Sequence, residues 1–281
     1  MSPTPEPVRV STPTGTIAGL AWGPADAPLV VAGHGWLDNA ASFTAIAPHL
    51  PGLRLVAIDW PGHGRSDHLP PGASYPFVDW IASLHAVVTS LSDGPVRLLG
   101  HSMGAAISSM FAGTFVDLVA CVVAIEGIGP LAEPATEAPA RLQKAIETGG
   151  ATRPRSIGDL EPTLDKFASA RGLTRAQAQP LAERSIDAQG STWSYDPRLR
   201  ESSRWRMTED MVMAYLGRIA APLLAVRGKS GSPFAPGAKS PRFRAVADAR
   251  LVELDGGHHL HISHAEAVAA AIGPFLRGET T

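Results

Sequence analysis

The chain of 281 residues lacks the features that mark several large classes of protein. Cys121 is its single cysteine, so an internal disulfide framework is excluded. No apolar run approaches the roughly 20 residues of a membrane-spanning helix. Residues 1–10 have neither a basic start nor an apolar stretch, so they do not form a secretory signal. These absences predict a soluble, cytoplasmic protein with no membrane partner.

A strong charge of either sign is also missing. Lys and Arg number 24 and Asp and Glu 26, which gives a formal net charge of −2, and there is no long basic run. A nucleic-acid backbone would gain little from such a surface, so nucleic acid is not an expected partner. We expect a small-molecule substrate instead. The sequence gives no indication of the oligomeric state.

Short aliphatic runs alternate along the chain with longer helical patterns, as is typical of a parallel sheet covered by helices on both faces. Helices are predicted at residues 77–91, 103–115 and 266–276. The runs predicted as strands are residues 17–22, 29–32, 53–58, 96–99, 121–125, 223–226 and 250–254. The pattern therefore predicts an α/β fold with a mostly parallel central sheet.

The alternation stops between residues 127 and 207. Helical patterns at residues 139–148 and 174–188 are joined by loops that contain proline and glycine. About 80 residues are too many for a structureless connection, so we predict a helical cap over the carboxyl edge of the sheet. A helix at residues 208–218 then returns the chain to the core. The predicted domains are a core of residues 1–126 and 208–281 and an inserted cap of residues 127–207.

Residues 100–104, with the sequence GHSMG, fit the pattern G-x-S-x-G. They directly follow a predicted strand and precede a run of small helical residues, which is the context this nucleophile turn requires. A helix that begins beside Ser102 directs its free N–H groups at the hydroxyl and favours negative charge there. We predict Ser102 as the nucleophile and the Met103 N–H as one oxyanion donor.

The second oxyanion donor is expected in the loop after the strand at residues 29–32. That loop reads GHGWLDN over residues 33–39, and its glycines let the backbone pass close to a substrate. An ordinary glycine-containing turn is the alternative interpretation. We select the backbone N–H of Trp36 as the donor.

The chain has ten histidines, of which His258 is the predicted general base. It follows the last predicted strand after two glycines, in a loop that can reach back over the sheet edge to Ser102. His259 and His261 are alternatives. A metal site is a rival interpretation, because His258, His259, His261 and His264 fall within one short segment, a spacing that zinc sites use. That interpretation leaves the serine motif unexplained, so we predict no metal.

The acid of the triad is the least obvious member. No carboxylate follows the penultimate strand, residues 223–226, until Asp248. Glu126 instead stands alone at the end of the strand before it, and the chain order Ser, Glu, His is kept. We predict Glu126 as the acid, with Asp255 as the next candidate. A solvated residue at the mouth of the cap is the other interpretation of Glu126.

Four side chains are candidates for the wall of a substrate pocket under the cap: Trp193, Trp205, Phe234 and His259. Large apolar side chains line most ligand pockets. Core packing explains the three aromatic residues equally well.

Four motifs are distributed over almost the whole core: HGWLDN at 34–39, DWPGHGRS at 59–66, GHSMG at 100–104 and GGHHLH at 256–261. With these motifs the chain resembles the α/β-hydrolase superfamily and, within it, the serine-hydrolase-like branch. The resemblance implies an esterase-like Ser–His–acid mechanism without a cofactor. Dehalogenases and epoxide hydrolases of this fold have Asp at the position of Ser102, so neither activity is expected.

The expected reaction is hydrolysis of carboxylic esters, thioesters or lactones through an acyl-enzyme. A perhydrolase, an acyltransferase or a carbon–carbon bond hydrolase could use the same triad. A non-catalytic receptor of this fold is the alternative from another class, and the intact serine, histidine and glycine motifs argue against it.

Overall fold

A sheet of eight strands forms the centre of the protein in the computed structural model, which describes residues 4–150, 152–187, 189–233, 235 and 237–279. The strands are β1 (Glu6–Thr12), β2 (Gly15–Trp22), β3 (Leu29–Gly33), β4 (Arg54–Ile58), β5 (Val96–His101), β6 (Val119–Ile125), β7 (Leu223–Gly228) and β8 (Ala249–Leu254). Their order across the sheet is β1-β2-β4-β3-β5-β6-β7-β8. The β1–β2 and β2–β4 pairs are antiparallel and the other pairs are parallel. The predicted mostly parallel sheet is therefore confirmed.

Helices cover both faces of this sheet. They are α1 (Phe77–Leu91), α2 (Met103–Thr114), α3 (Ala138–Thr148), α4 (Leu160–Ser169), α5 (Arg175–Arg184), α6 (Glu209–Leu216), α7 (Pro241–Ala245), α8 (Leu260–Ser263) and α9 (Ala265–Arg277). Val122 and Val123 of β6 are both fully buried because alternate residues of a strand face opposite sides. Val122 belongs to an apolar cluster that includes residues of α1, α2 and α6, and Val123 belongs to a second cluster that includes residues of α9. None of the helices in the described ranges is long and apolar enough to cross a membrane.

Four of these elements were not predicted: β1, α4 and the short helices α7 and α8. β1 is an edge strand in which Val10 is the single buried residue, so it lacks the continuous apolar run of an inner strand. α4 buries Phe167 and Ala168 alone. The helix predicted at residues 174–188 is shorter than expected, because α5 ends at Arg184.

The segment between β6 and α6, residues 127–207, contains α3, α4 and α5 together with short single-turn helices. In its described part, β pairing is limited to isolated bridges such as the one between Ala132 and Met207. α4 and α5 pack on each other around a small apolar cluster that also includes Ile262 of α8. This part of the segment therefore lies against the loops at the carboxyl edge of the sheet.

Candidate active site

Ser102 lies at a sharp turn between β5 and α2. β5 ends at His101 and α2 begins at Met103, so Ser102 is the single residue that connects them. Its φ of 52° and ψ of −111° lie in a region that L side chains rarely adopt, at a cost on the order of 1–3 kcal/mol. The Ser102 N–H donates to the Ile125 carbonyl oxygen at 2.8 Å, which ties the turn to β6.

Gly100 and Gly104 make this turn possible by allowing a close approach of backbone segments. A Cβ on Gly100 would lie 2.4 Å from the Ala105 nitrogen, and a Cβ on Gly104 would lie 1.9 Å from the Gly33 carbonyl oxygen. Carbon atoms in contact prefer about 3.5–4.0 Å. Any side chain at either position would therefore push α2 away from β3 and β5.

His258 connects the serine to a buried acid. It lies in the loop between β8 and α8, and its Nε2 is 3.1 Å from Ser102 Oγ. Its Nδ1 is 3.1 Å from Glu126 Oε2. A carboxylate only accepts hydrogen bonds, so Nδ1 donates its proton to Glu126 and Nε2 presents a lone pair to the serine hydroxyl. A general base requires this arrangement.

Glu126 is the residue directly after β6, and it is 2% exposed. Its Oε1 accepts from the Gly228 N–H at 2.7 Å, and its Oε2 accepts from the Ser232 N–H at 2.6 Å as well as from His258. A carboxylate removed from water needs such partners. The three donors also fix its orientation toward the imidazole.

The end of β7 and the loop after it contribute the Gly228 and Ser232 N–H donors instead of an acid of their own. A Cβ on Gly231 of this loop would lie within contact distance of both carboxylate oxygens of Glu126, closer than any real side chain allows. The Glu126 carboxylate therefore occupies the space that a side chain from the loop would need. Asp255, the alternative acid, lies elsewhere: its carboxylate binds Lys229 Nζ at 2.9 Å and is 80% exposed.

Backbone strain is concentrated at this edge of the sheet. Among the residues that the structure describes, the non-glycine residues with positive φ are Leu37, Ser102 and Glu126, at 59°, 52° and 59°. They follow β3, β5 and β6, which are neighbours in the sheet. Strained residues of this kind cluster at functional sites, where the surrounding structure fixes them.

The two predicted oxyanion donors are backbone groups beside Ser102 and in the loop after β3. Met103 is the first residue of α2, so its N–H has no acceptor within the helix. In the loop, the Asp38 N–H donates to the Gly35 carbonyl oxygen at 3.1 Å, and the Trp36 side chain is 52% exposed. Over the described ranges, neither the Trp36 nor the Met103 N–H donates to a protein acceptor. Both groups are available for an oxyanion.

The three other histidines between β8 and α9 each have a partner of their own. The pairs are His259 Nε2 with Asp38 Oδ2 at 3.1 Å, His261 Nε2 with Ser42 Oγ at 2.7 Å and His264 Nδ1 with Ser263 Oγ at 2.8 Å. The four histidines of residues 258–264 therefore point to different places. They do not form the single metal site that their spacing suggested.

Two of the three aromatic candidates for the pocket wall, Trp193 and Trp205, lie in the segment 127–207. Trp193 stacks on Phe167 with ring centroids 5.2 Å apart and planes 16° apart. Trp205 is 42% exposed. No hydrogen bond or ring contact within the described residues joins either tryptophan to Ser102 or His258, so their contact with substrate stays a prediction. Phe234 lies outside the described residues.

Two buried carboxylates of the core hold the segment 127–207 in place. Asp38 Oδ1 binds Arg171 at 3.0 Å, and Asp59 Oδ2 binds Arg184 at 2.7 Å. Burial opposes ionisation of Asp38, but the hydrogen bond from His259 and the charge of Arg171 outweigh it and hold its pKa well below the usual range. The sequence motifs contain both aspartates, but their arginine partners lie 133 and 125 positions away in the chain. No local pattern indicates such pairs.

Comparison with known proteins agrees with this fold. Residues 28–265 match the family described as alpha/beta hydrolase fold. A serine hydrolase-like protein of Dictyostelium discoideum is 30% identical over 96% of this chain and 81% of its own. The crystal structure of a hypothetical protein from Pseudomonas aeruginosa is similar with a TM-score of 0.88 and 35% identity, over 97% of this chain and 99% of its own. A thioesterase domain from the curacin biosynthetic pathway is similar with a TM-score of 0.86 and 26% identity, over 96% of this chain and 99% of its own.

The sheet order and the family match over most of the chain define an α/β-hydrolase fold, and they support a hydrolase. Within this superfamily, the relatives named serine hydrolase-like indicate one branch. The chain belongs to the serine-hydrolase-like branch of the α/β-hydrolase superfamily.

Proposed function

We propose that this protein is a serine hydrolase that cleaves carboxylic esters, thioesters or lactones through an acyl-enzyme on Ser102. One observation carries the proposal: an unbroken line of hydrogen bonds from Ser102 through His258 to the buried Glu126, each 3.1 Å long. A serine on a strained turn, an imidazole with a free Nε2 lone pair and an acid on Nδ1 are the parts that acyl transfer needs.

Acylation begins when His258 Nε2 takes the proton of the Ser102 hydroxyl and Oγ attacks the substrate carbonyl carbon. Negative charge then develops on the carbonyl oxygen, where the Met103 and Trp36 N–H groups and the N-terminus of α2 stabilise it. Glu126 stabilises the imidazolium. The intermediate collapses when the bond to the leaving alcohol or thiol breaks and the proton on Nε2 passes to that group.

Deacylation repeats these steps with water. His258 takes a proton from the water molecule, and the resulting hydroxide attacks the acyl carbon. The bond to Ser102 Oγ then breaks, the serine recovers its proton from His258, and a carboxylic acid leaves. His258 moves every proton in the cycle, so the reaction balances without a cofactor.

We further propose that residues 127–207 act as a cap that roofs the pocket. The ion pairs of Arg171 with Asp38 and of Arg184 with Asp59 support this role, because both aspartates belong to loops at the same sheet edge as Ser102. Trp193 and Trp205 are the apolar side chains that the cap would offer to an acyl chain. The similarity to a thioesterase domain supports testing thioesters beside esters.

Hydrolysis of nitrophenyl esters and acyl thioesters of increasing acyl length tests the function. Ser90 on α1 is exposed, so Ser90→Ala is a matched control for Ser102→Ala. We expect the control to keep wild-type rates and Ser102→Ala to lose about 10⁴-fold or more in kcat. Transfer of the acyl group to an added alcohol or peroxide in preference to water would favour the acyltransferase or perhydrolase alternative. Full turnover by Ser102→Ala would overturn the proposal.

A further inference from the structure

A second polar cluster lies directly behind the base. Asp38 Oδ2, His101 Nδ1 and His259 Nε2 all lie within 4.8 Å of one another. Asp38 Oδ2 is 3.1 Å from His259 Nε2 and 4.0 Å from His101 Nδ1. The three residues come from separate parts of the chain, so no sequence motif reveals them together. We propose that they form a zinc site whose occupation inhibits the enzyme.

The protonation of the His101 ring supports this site. His101 Nε2 is 2.8 Å from the His258 carbonyl oxygen, which only accepts, so Nε2 carries the proton. In the neutral ring this leaves a lone pair on Nδ1. Nδ1 has no hydrogen-bond partner among the described residues and faces the Asp38 carboxylate. A cation bound between Nδ1 and Asp38 Oδ2 would give this buried nitrogen the partner that it lacks.

The donor set suits zinc. Two imidazole nitrogens and one carboxylate oxygen, with a fourth position open to water, are ligands that Zn²⁺ commonly takes at about 2.0–2.2 Å. Ligand atoms on such a tetrahedral ion lie roughly 3.3–3.5 Å apart. The 3.1 Å and 4.0 Å separations from Asp38 Oδ2 need small shifts, and the two imidazole nitrogens, which lie within 4.8 Å of each other, must also close to this spacing. The hydrogen bond from His101 Nε2–H to a backbone carbonyl is the outer contact that usually orients a metal-binding imidazole. His259 must move its proton from Nε2 to Nδ1 as zinc binds.

One neighbouring charge opposes the ion. Arg171 binds the other oxygen of Asp38, Oδ1, at 3.0 Å. It helps to keep the carboxylate ionised, but it also repels a cation. We therefore expect reversible binding in the micromolar range, weaker than that of a structural zinc site.

Zinc at this position would act on the base without displacing it. The ring centroids of His101 and His259 are 4.8 Å and 5.3 Å from that of His258. A divalent cation bound to these rings disfavours the positive charge that His258 must acquire during acylation. We expect zinc to lower kcat more than it raises KM. This inhibitory effect rests on the proposed function, whereas the binding itself does not.

Zinc titration by calorimetry, with Co²⁺ absorption as a second probe, tests the site in wild type, Asp38→Asn and His259→Gln. His264→Gln is the matched control, because His264 lies just after α8, is exposed and binds Ser263. We expect wild type and the control to bind one Zn²⁺ and both site variants to lose at least about 100-fold in affinity. His259→Gln keeps the test valid if Asp38→Asn unfolds on losing the Arg171 pair, and melting curves check that each variant is folded.

Zinc should inhibit wild type reversibly, with recovery on addition of a chelator, and should inhibit His259→Gln much less. Undiminished zinc affinity in folded His259→Gln, or an equal loss in His264→Gln, would overturn the site. Active enzyme that binds no zinc at micromolar concentrations would also overturn it and leave the proposed function standing. Zinc binding by a protein that hydrolyses no acyl substrate would support the site and overturn the proposed function.

Discussion

The carboxyl edge of the sheet and the segment 127–207 are held in place by different interactions. At the edge, Ser102 and Glu126 each stand directly after a buried strand, in strained conformations that neighbouring strands enforce. The segment 127–207 has a smaller apolar cluster and is tied to the core through Asp38 and Asp59. Local chain geometry therefore specifies the chemistry, whereas long-range ion pairs specify the position of the helices above it.

The largest expected effect is on kcat, and it comes from variants of Ser102 that separate backbone strain from catalysis. Ser102→Gly should lower kcat by about 10⁴-fold or more, yet raise or preserve the free energy of unfolding, because glycine adopts the φ of 52° without strain. Ser102→Ala should lose the same activity but keep the strain. Urea denaturation of both variants measures the difference. A clear loss of stability in Ser102→Gly would contradict the account of the turn.

The next prediction tests which carboxylate orients His258, the general base. Glu126→Gln should lower kcat by about 10²–10⁴-fold, because an amide cannot hold the imidazole tautomer in the same way. Asp255→Asn changes an exposed carboxylate that binds Lys229, so kcat should stay close to wild type. Steady-state kinetics of the two variants provide the comparison. Equal losses, or a larger loss in Asp255→Asn, would move the acid away from Glu126.

The free energy of unfolding should depend on pH because of histidines in the core. All ten histidines of the chain lie outside residues 127–207. Burial lowers the pKa of His34 to about 4 and the pKa values of His63 and His261 to about 3. The unfolded chain takes up protons at these residues near pH 6.5, so the free energy of unfolding should fall by up to about 1.4 kcal/mol per pH unit per group as the pH drops below 6.5.

Urea unfolding at pH 7.5 and pH 5.5 measures this loss. His261→Gln should reduce the difference between the two values by about 1 kcal/mol, since one titrating group is removed. An unchanged free energy of unfolding across this range would show that the buried imidazoles do not titrate as described.

The last prediction tests the attachment of the segment 127–207. Arg184→Met leaves the fully buried Asp59 without its cation, so it should lower the free energy of unfolding by about 3 kcal/mol. Arg175→Met removes an exposed pair with Glu161 and should cost less than about 1 kcal/mol. Similar costs for the two variants would show that buried and exposed pairs hold this segment equally.

Sequence patterns identify residues that the structure brings together at this edge, because Ser102 and Glu126 directly follow their strands and His258 lies in the loop after β8. G-x-S-x-G identifies Ser102 from five consecutive residues, and the glycines before His258 indicate a turn after the last strand. We predicted Glu126 as the acid because no carboxylate closely follows β7 in the sequence. The structure gives a physical reason for that absence, because the Glu126 carboxylate fills the space beside Gly231.

The attachment of the segment 127–207 was beyond such patterns. Nothing local distinguishes Arg171 and Arg184 from the other arginines of the segment, because their partners are set by the packed fold. The cluster of Asp38, His101 and His259 was missed for the same reason. β1 was missed because it buries a single residue and so lacks a continuous apolar run. α4 was missed although Leu164, Phe167 and Ala168 recur at helical spacing.

The central claim is that His258 activates Ser102, and reaction with a fluorophosphonate probe tests it most directly. Peptide mapping by mass spectrometry should find the adduct on Ser102, and the second-order rate constant should fall by about 10²-fold or more in His258→Ala. An adduct on another residue, or an equal rate in the folded His258→Ala variant, would contradict it.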